Sequence, residues 1–100
     1  MKAALVISDR DNVATALQPL DGGRVLDLGG VSVTVREAIP SGHKVAIRAI
    51  TSGEPVIKYG SPIGSASTDI AAGTHVHTHN VASARGRGDL SQAIPVSREE

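Results

Sequence analysis

The sequence predicts an all-β domain with one short helix near its N-terminus, and three observations carry that prediction. The 100 residues include 11 Val and 8 Ile against 6 Leu, and β-branched side chains suit a pleated sheet better than a helix. Glycine- and proline-bearing turn signals recur at roughly the 8–12-residue intervals of a compact all-β domain. Between them, apolar and polar residues alternate over short runs, the mark of strands with one buried face.

Taken in order, Ala3–Ile7 reads as a short strand. Asp11-Asn12 then stands before Val13, Ala16, Leu17 and Leu20, which recur at helical spacing, so a brief capped helix is predicted over Val13–Leu17. Asp21-Gly22-Gly23 is a turn. Arg24–Leu28 and Val31–Arg36 flank Gly29-Gly30, a two-residue hairpin loop that tolerates positive φ. In the second arm Val31, Val33 and Val35 alternate with Ser32, Thr34 and Arg36. Pro40-Ser41-Gly42 breaks the chain before Val45, Ile47 and Ala49, which mark another half-buried strand. Thr51–Glu54 turns it, Pro55–Gly60 returns, and SPIGS, STDIAAG and THVHTHN continue the turn-rich pattern. From Val81 the chain becomes small, polar and Arg/Gly-rich. The expected organisation is a domain over residues 1–80 and a tail over 81–100 that is flexible or ordered by a partner.

Composition excludes several functions. Ten basic and ten acidic residues cancel, so no basic surface predicts nucleic-acid binding, which needs cations to displace phosphate counterions. Tyr59 is the single aromatic residue, and one ring cannot tile a base- or sugar-stacking platform. With no cysteine, thiolate metal sites, disulfides and a cysteine nucleophile are ruled out within this chain. The N-terminal apolar run is interrupted at Asp9, unlike an export signal. No stretch approaches the ~20 apolar residues of a membrane span. A cytoplasmic protein is the expectation.

The densest chemical signal is His75-Val76-His77-Thr78-His79-Asn80. In an extended segment the three imidazoles share a face, about 7 Å apart along the strand. Two so placed can share one metal, since neutral imidazole suits Fe, Zn, Ni and Cu. The other reading is a strand end whose histidines are simply solvated. His43, just after the Gly42 turn, is a second candidate, although lone histidines are more often structural. In Lys58-Tyr59-Gly60, the ammonium and phenol suit an anionic or polyhydroxylated ligand. Alternatively, Tyr59 plugs the core.

The run GHKVAIRAI, a turn at Gly53, and VIKYGSPIGSASTDIAAGTHVHTHN closely resemble the N-terminal region of the altronate/galactarate dehydratase family. ISDRDNVATALQPL resembles that family's opening. The resemblance spans about residues 5–80 and also extends to the small subunit of sulfolactate sulfo-lyases. It implies a SAF domain of β-clip fold. The activity it implies is an iron-dependent lyase that dehydrates an aldonate or aldarate such as altronate. This chain would be the small subunit, inactive without a large dehydratase subunit that holds most of the metal site, in a hetero-oligomer; in isolation a homo-oligomer is the alternative. The divalent ion is expected to be Fe(II), with Mn or another divalent ion as alternatives. By the same resemblance His75 and His77 are metal ligands or their neighbours, His43 moves protons, and Lys58, Tyr59, His79 and Asn80 bind the sugar acid. The alternatives are the small subunit of a sulfolactate sulfo-lyase and a non-catalytic SAF binding or assembly module. Neither nucleic acid nor a membrane is expected as a partner.

Overall fold

The structure, a computed structural model, describes residues 2–83. These form nine strands: β1 (Ala4–Leu5), β2 (Val13–Ala16), β3 (Val25–Asp27), β4 (Ser32–Thr34), β5 (Lys44–Ala46), β6 (Pro55–Lys58), β7 (Ser61–Ala66), β8 (His75–Val76) and β9 (Val81–Ser83). A four-stranded sheet runs β1-β2-β5-β8, a two-stranded one β3-β4, and a three-stranded one β6-β7-β9, all antiparallel. The all-β prediction holds, and the architecture is that of a SAF-type β-clip.

The predicted helix over Val13–Leu17 is a strand, β2, paired with β1 and β5. The four-stranded sheet is a middle layer, buried on both faces. Ala14, Ala16, Val45 and Ile47 pack into one apolar cluster, with Leu20, Leu26, Val33, Val35 and Ile39. Val13 and Ala46 pack into a second cluster, with Ile50, Val56, Ala66, Ile70 and Val76. A strand buried on both sides loses its apolar–polar alternation, and in VATA the remaining apolar positions mimic helical spacing. Asp11-Asn12 does not cap a helix either; it ties down a distant hairpin, described below.

One local unit appears four times. Leu20, Ile39, Ile50 and Ile70 are each followed three residues later by glycine and six residues later by a buried Leu or Val. Gly23, Gly42, Gly53 and Gly73 have φ of 92°, 85°, 90° and 88°. Each is the third residue of a turn closed by an i→i+3 bond: Arg24 N–H to Asp21 O, His43 to Pro40, Glu54 to Thr51 and Thr74 to Ala71. Positive φ at the third position alone defines a type II turn, where a side chain would be strained. Each turn glycine also donates its N–H to a neighbouring strand: Gly23 to Val35, Gly42 to Ala16, Gly53 to Ala66 and Gly73 to Ala46. Leu20 bridges Ile39, and Ile50 bridges Ile70, so the units pair two by two, one pair in each core. Burying each aliphatic anchor contributes about 1.5–3 kcal/mol.

The hairpin predicted around Gly29-Gly30 is present as β3–β4, with Leu26 opposite Val33. The domain edge expected at residue 80 lies within the fold, because β9 pairs with β7 through Ser83. The rest of the predicted tail, 84–100, lies outside the described residues. Among the described residues no helix is long and apolar enough to cross a membrane.

Candidate functional site

Antiparallel pairing of β5 with β8 places Val45 opposite His75 and Lys44 opposite Val76. That register brings His43, from the second glycine turn, against the two histidines that follow the fourth. The His43 and His77 rings stack with centroids 4.2 Å apart and planes 15° from parallel. His43 lies 5.1 Å from His75, and His75 lies 5.4 Å from His77, both stacked. His43 Nδ1 and His75 Nε2 are 2.8 Å apart, a hydrogen bond in which one ring donates and the other accepts. One ring nitrogen from each of His43, His75 and His77 falls within 4.8 Å of the others.

His79 does not join this group as its spacing suggested. The strand ends at Val76, and the chain turns so that Asn80 N–H bonds His77 O at 3.2 Å. His79 instead tilts against His75, with centroids 5.4 Å apart and planes at 45°. Asn80, expected to bind substrate, is 4% exposed and occupied with the backbone. Its Oδ1 accepts from His77 N–H at 3.0 Å and its Nδ2 donates to His75 O at 2.9 Å. Asn80 therefore fixes the backbone from which His75 and His77 project.

Partial burial and the neighbouring His43, His79 and His77 lower the His75 pKa, with Glu37 opposing. Partial burial, His43, Lys44 and His79 lower that of His77. His75 and His77 therefore favour the neutral imidazole, the form that ligates metal. One imidazole nitrogen from each of three histidines, all within 4.8 Å of one another, is a candidate donor set for a divalent transition ion.

Lys58 and Tyr59 sit on another element. Tyr59 and Gly60 form the two-residue loop between β6 and β7, where Lys58 pairs with Ser61. Both loop residues have positive φ, 56° and 78°, the geometry of a type I′ hairpin turn. For tyrosine this conformation costs about 1–2 kcal/mol. Tyr59 is 53% exposed, so it is not a core plug, and the Lys58 ammonium lies 4.8 Å from its ring centre.

Asp11 explains how the strained turn persists. Its buried carboxylate, 2% exposed, accepts the Gly60 N–H at 2.7 Å on Oδ1 and those of Ile7 and Ser8 at 3.3 and 3.1 Å on Oδ2. Burial pushes its pKa up, but bonds from Gly60, Ser8, Tyr59 and Ile7 outweigh that and hold it below its usual 3.8. Asn12 completes the clamp: its Nδ2 donates to Pro55 O and its Oδ1 accepts from Ile57 N–H, at 2.9 and 2.8 Å.

Sequence reasoning missed two site residues. Glu37 Oε2 accepts the His75 N–H at 3.0 Å, and Lys44 lines a groove with His77. Lys44 was legible only as the neighbour of His43; the repeated glycine turn, whose second and fourth copies lead into the paired strands β5 and β8, was the available signal.

An all-β domain with two glycine-turn cores, presenting a stacked imidazole cluster at one sheet edge, is the class that fold and site define. The sequence profile of the altronate/galactarate dehydratase SAF domain matches residues 2–84, and the chain belongs to that family. It is 44% identical over 80 residues to the altronate dehydratase of Bacillus subtilis, covering 80% of this chain and 16% of that protein. With the altronate dehydratase of Escherichia coli it shares 51% over 70 residues, 70% of this chain and 14% of that protein. The chain thus spans about one sixth or less of the length of these dehydratases. It is also 50% identical over 48 residues to the (2R)-sulfolactate sulfo-lyase subunit alpha of Paracoccus pantotrophus, covering 48% of this chain and 72% of that subunit.

Proposed function

We propose that this chain is the small subunit of a metal-dependent lyase that removes water from a sugar acid such as altronate, working with a large dehydratase subunit in the cytoplasm. The observation that carries this is the meeting of His43, His75 and His77 in a chain of this family. A separate subunit is supported by the likeness to a sulfo-lyase subunit alpha, most of whose length is matched.

Dehydration removes the proton from the carbon beside the carboxylate and expels hydroxide from the next carbon; the two leave together as water. Negative charge builds on the carboxylate as the proton departs, so catalysis needs cationic and hydrogen-bonding groups there and a base of near-neutral pKa. His75 and His77 would hold a divalent ion, Fe(II) in the leading case, which supplies Lewis-acid stabilisation of developing negative charge when bound. His43, at hydrogen-bond distance from His75 and stacked on His77, is the proton-transfer candidate. Half-buried Lys58 and exposed Tyr59, at their hairpin tip, would contact carboxylate and hydroxyls, and His79 would reach the substrate from the turn. Asn80 serves this site by holding the histidine backbone.

The test is to assemble the chain with the large subunit and assay water loss from altronate and galactarate beside sulfite release from sulfolactate. The expected outcome is a 2-keto-3-deoxy acid from the sugar acid and no sulfite. Sulfite release alone would assign the chain to the sulfo-lyase reaction instead. Replacing His75 and His77 together by Ala should abolish metal retention by the complex; unchanged metal content would remove them as ligands.

A further inference from the structure

Beside the imidazole cluster lies a groove of about 230 Å³, lined by Lys44, Ile63, His77, Thr78 and Val81. Its parts come from three places in the sequence. Lys44 stands on the central strand β5. Ile63 is the extra residue of a bulge in β7, where Val56 faces Gly64 but Ile57 faces Pro62. Thr78 belongs to the turn that Asn80 fixes. Gly64 lets β9 close in: a Cβ there would lie 2.5 Å from Ala82 O, which keeps Val81 at the groove wall.

We propose that this groove is an anion subsite in which Lys44, supported by Lys58, binds the carboxylate of a small hydroxy acid, with the Thr78 hydroxyl as a further hydrogen-bonding group. Lys44 is half-buried, and among the described residues it makes no hydrogen bond to a carboxylate. Burial lowers its pKa, and the charge of Lys58 acts in the same direction. A half-buried ammonium with no carboxylate partner is stabilised by an anion. The groove is smaller than the roughly 300–1,000 Å³ of pockets that enclose a whole drug-sized ligand, so it suits one end of a molecule whose other end extends towards His77. Ile63 and Val81 supply the apolar side of the groove. Only the identity of the anion rests on the sugar-acid reading above.

The decisive experiment is an NMR titration of the isotope-labelled, metal-free full chain with L-tartrate, a hydroxy diacid, and with threitol, its neutral counterpart. Tartrate should give saturable shifts at Lys44, Ile63, Thr78 and Val81, and threitol none. Lys44→Gln should weaken tartrate at least about tenfold, the scale of one charged hydrogen bond, while Lys44→Arg and Lys2→Gln bind within about threefold of the parent. Unaltered binding by Lys44→Gln, or equal shifts with threitol, overturns the subsite. If Lys44→Gln proves unfolded, Lys58→Gln with an expected loss of about threefold to tenfold decides instead, and undiminished binding there also overturns it. Tartrate binding at Lys44 in a complex that dehydrates no sugar acid would sink the proposed reaction and leave the subsite standing. Normal dehydration with unchanged KM in Lys44→Gln would do the reverse.

Discussion

Two hairpin turns of this domain share one backbone geometry and are held by opposite means. Gly29-Gly30 and Tyr59-Gly60 both have positive φ at each loop residue. The first uses two glycines and a nearby exposed carboxylate, Asp27, which accepts the Gly29 N–H at 3.2 Å. The second forces a tyrosine into the left-handed region and is held by the buried Asp11, 49 residues away in sequence. A turn that only reverses the chain uses the residues that cost least. The turn that presents Lys58 and Tyr59 carries strain, which the surrounding structure over-determines, as functional positions often do.

The sharpest break is Asp11→Ala, which leaves the N–H groups of Gly60, Ser8 and Ile7 without their acceptor in these part-buried bonds. It should cost about 3 kcal/mol in denaturant unfolding. Amide exchange should accelerate at Gly60 and Ile57 while the Leu28 N–H, bonded to Val31 O, stays protected. Equal acceleration in both hairpins would mean that Asp11 supports the whole fold rather than this turn. Acid is a gentler form of the same test. Because the folded carboxyl titrates below 3.8, its contribution is complete above that pH and is lost as pH falls through the lower folded value.

Exchanging the turn residues comes next. Gly29→Tyr introduces the strain without a buried acceptor and should destabilise by about 1–2 kcal/mol. Tyr59→Gly relieves that strain but adds chain entropy to the unfolded state and loses the contact with Lys58. The net should be a stabilisation of about 0.5 kcal/mol. A melting-temperature loss comparable to that of Gly29→Tyr would show that Tyr59 is not strained.

The smallest expected effect concerns the histidines. His75 and His77 have folded pKa values below the usual 6.5, so the unfolded chain takes up protons first as pH falls. Stability should be level above about pH 7 and decline gently below 6.5, and His77→Gln should flatten the decline. A stability curve identical in the two proteins would separate His77 from the cluster electrostatically.

What could be read from the residues alone was local. Gly29-Gly30 announces its hairpin because the turn chemistry and the flanking valines agree within a dozen residues. Val13–Ala16 misleads because the forces that make it a strand lie on β1 and β5, and burial on both faces erases the alternation. Tyr59 reads as strand interior since tyrosine is a poor turn former, and the group that overrules its preference is the distant Asp11. At the site, the spacing of His75 and His77 was visible. The entry of His43 was not, because it depends on Val45 facing His75 across two strands. The departure of His79 likewise follows from a turn that Asn80 enforces. The fourfold glycine turn was present in the sequence all along, but its copies are separated by unequal stretches that hide the period.

That repetition has a consequence for how the molecule reaches its native state. Each type II turn closes over four residues and can form within microseconds, independently of the others. The ring stack is different, because it requires β5 and β8, the strands that follow the second and fourth turns, to pair after the intervening chain has folded back, which adds loop-closure entropy. The scaffold is thus assembled from fast, interchangeable pieces, and the imidazole cluster is expected to be among the last features to appear during refolding.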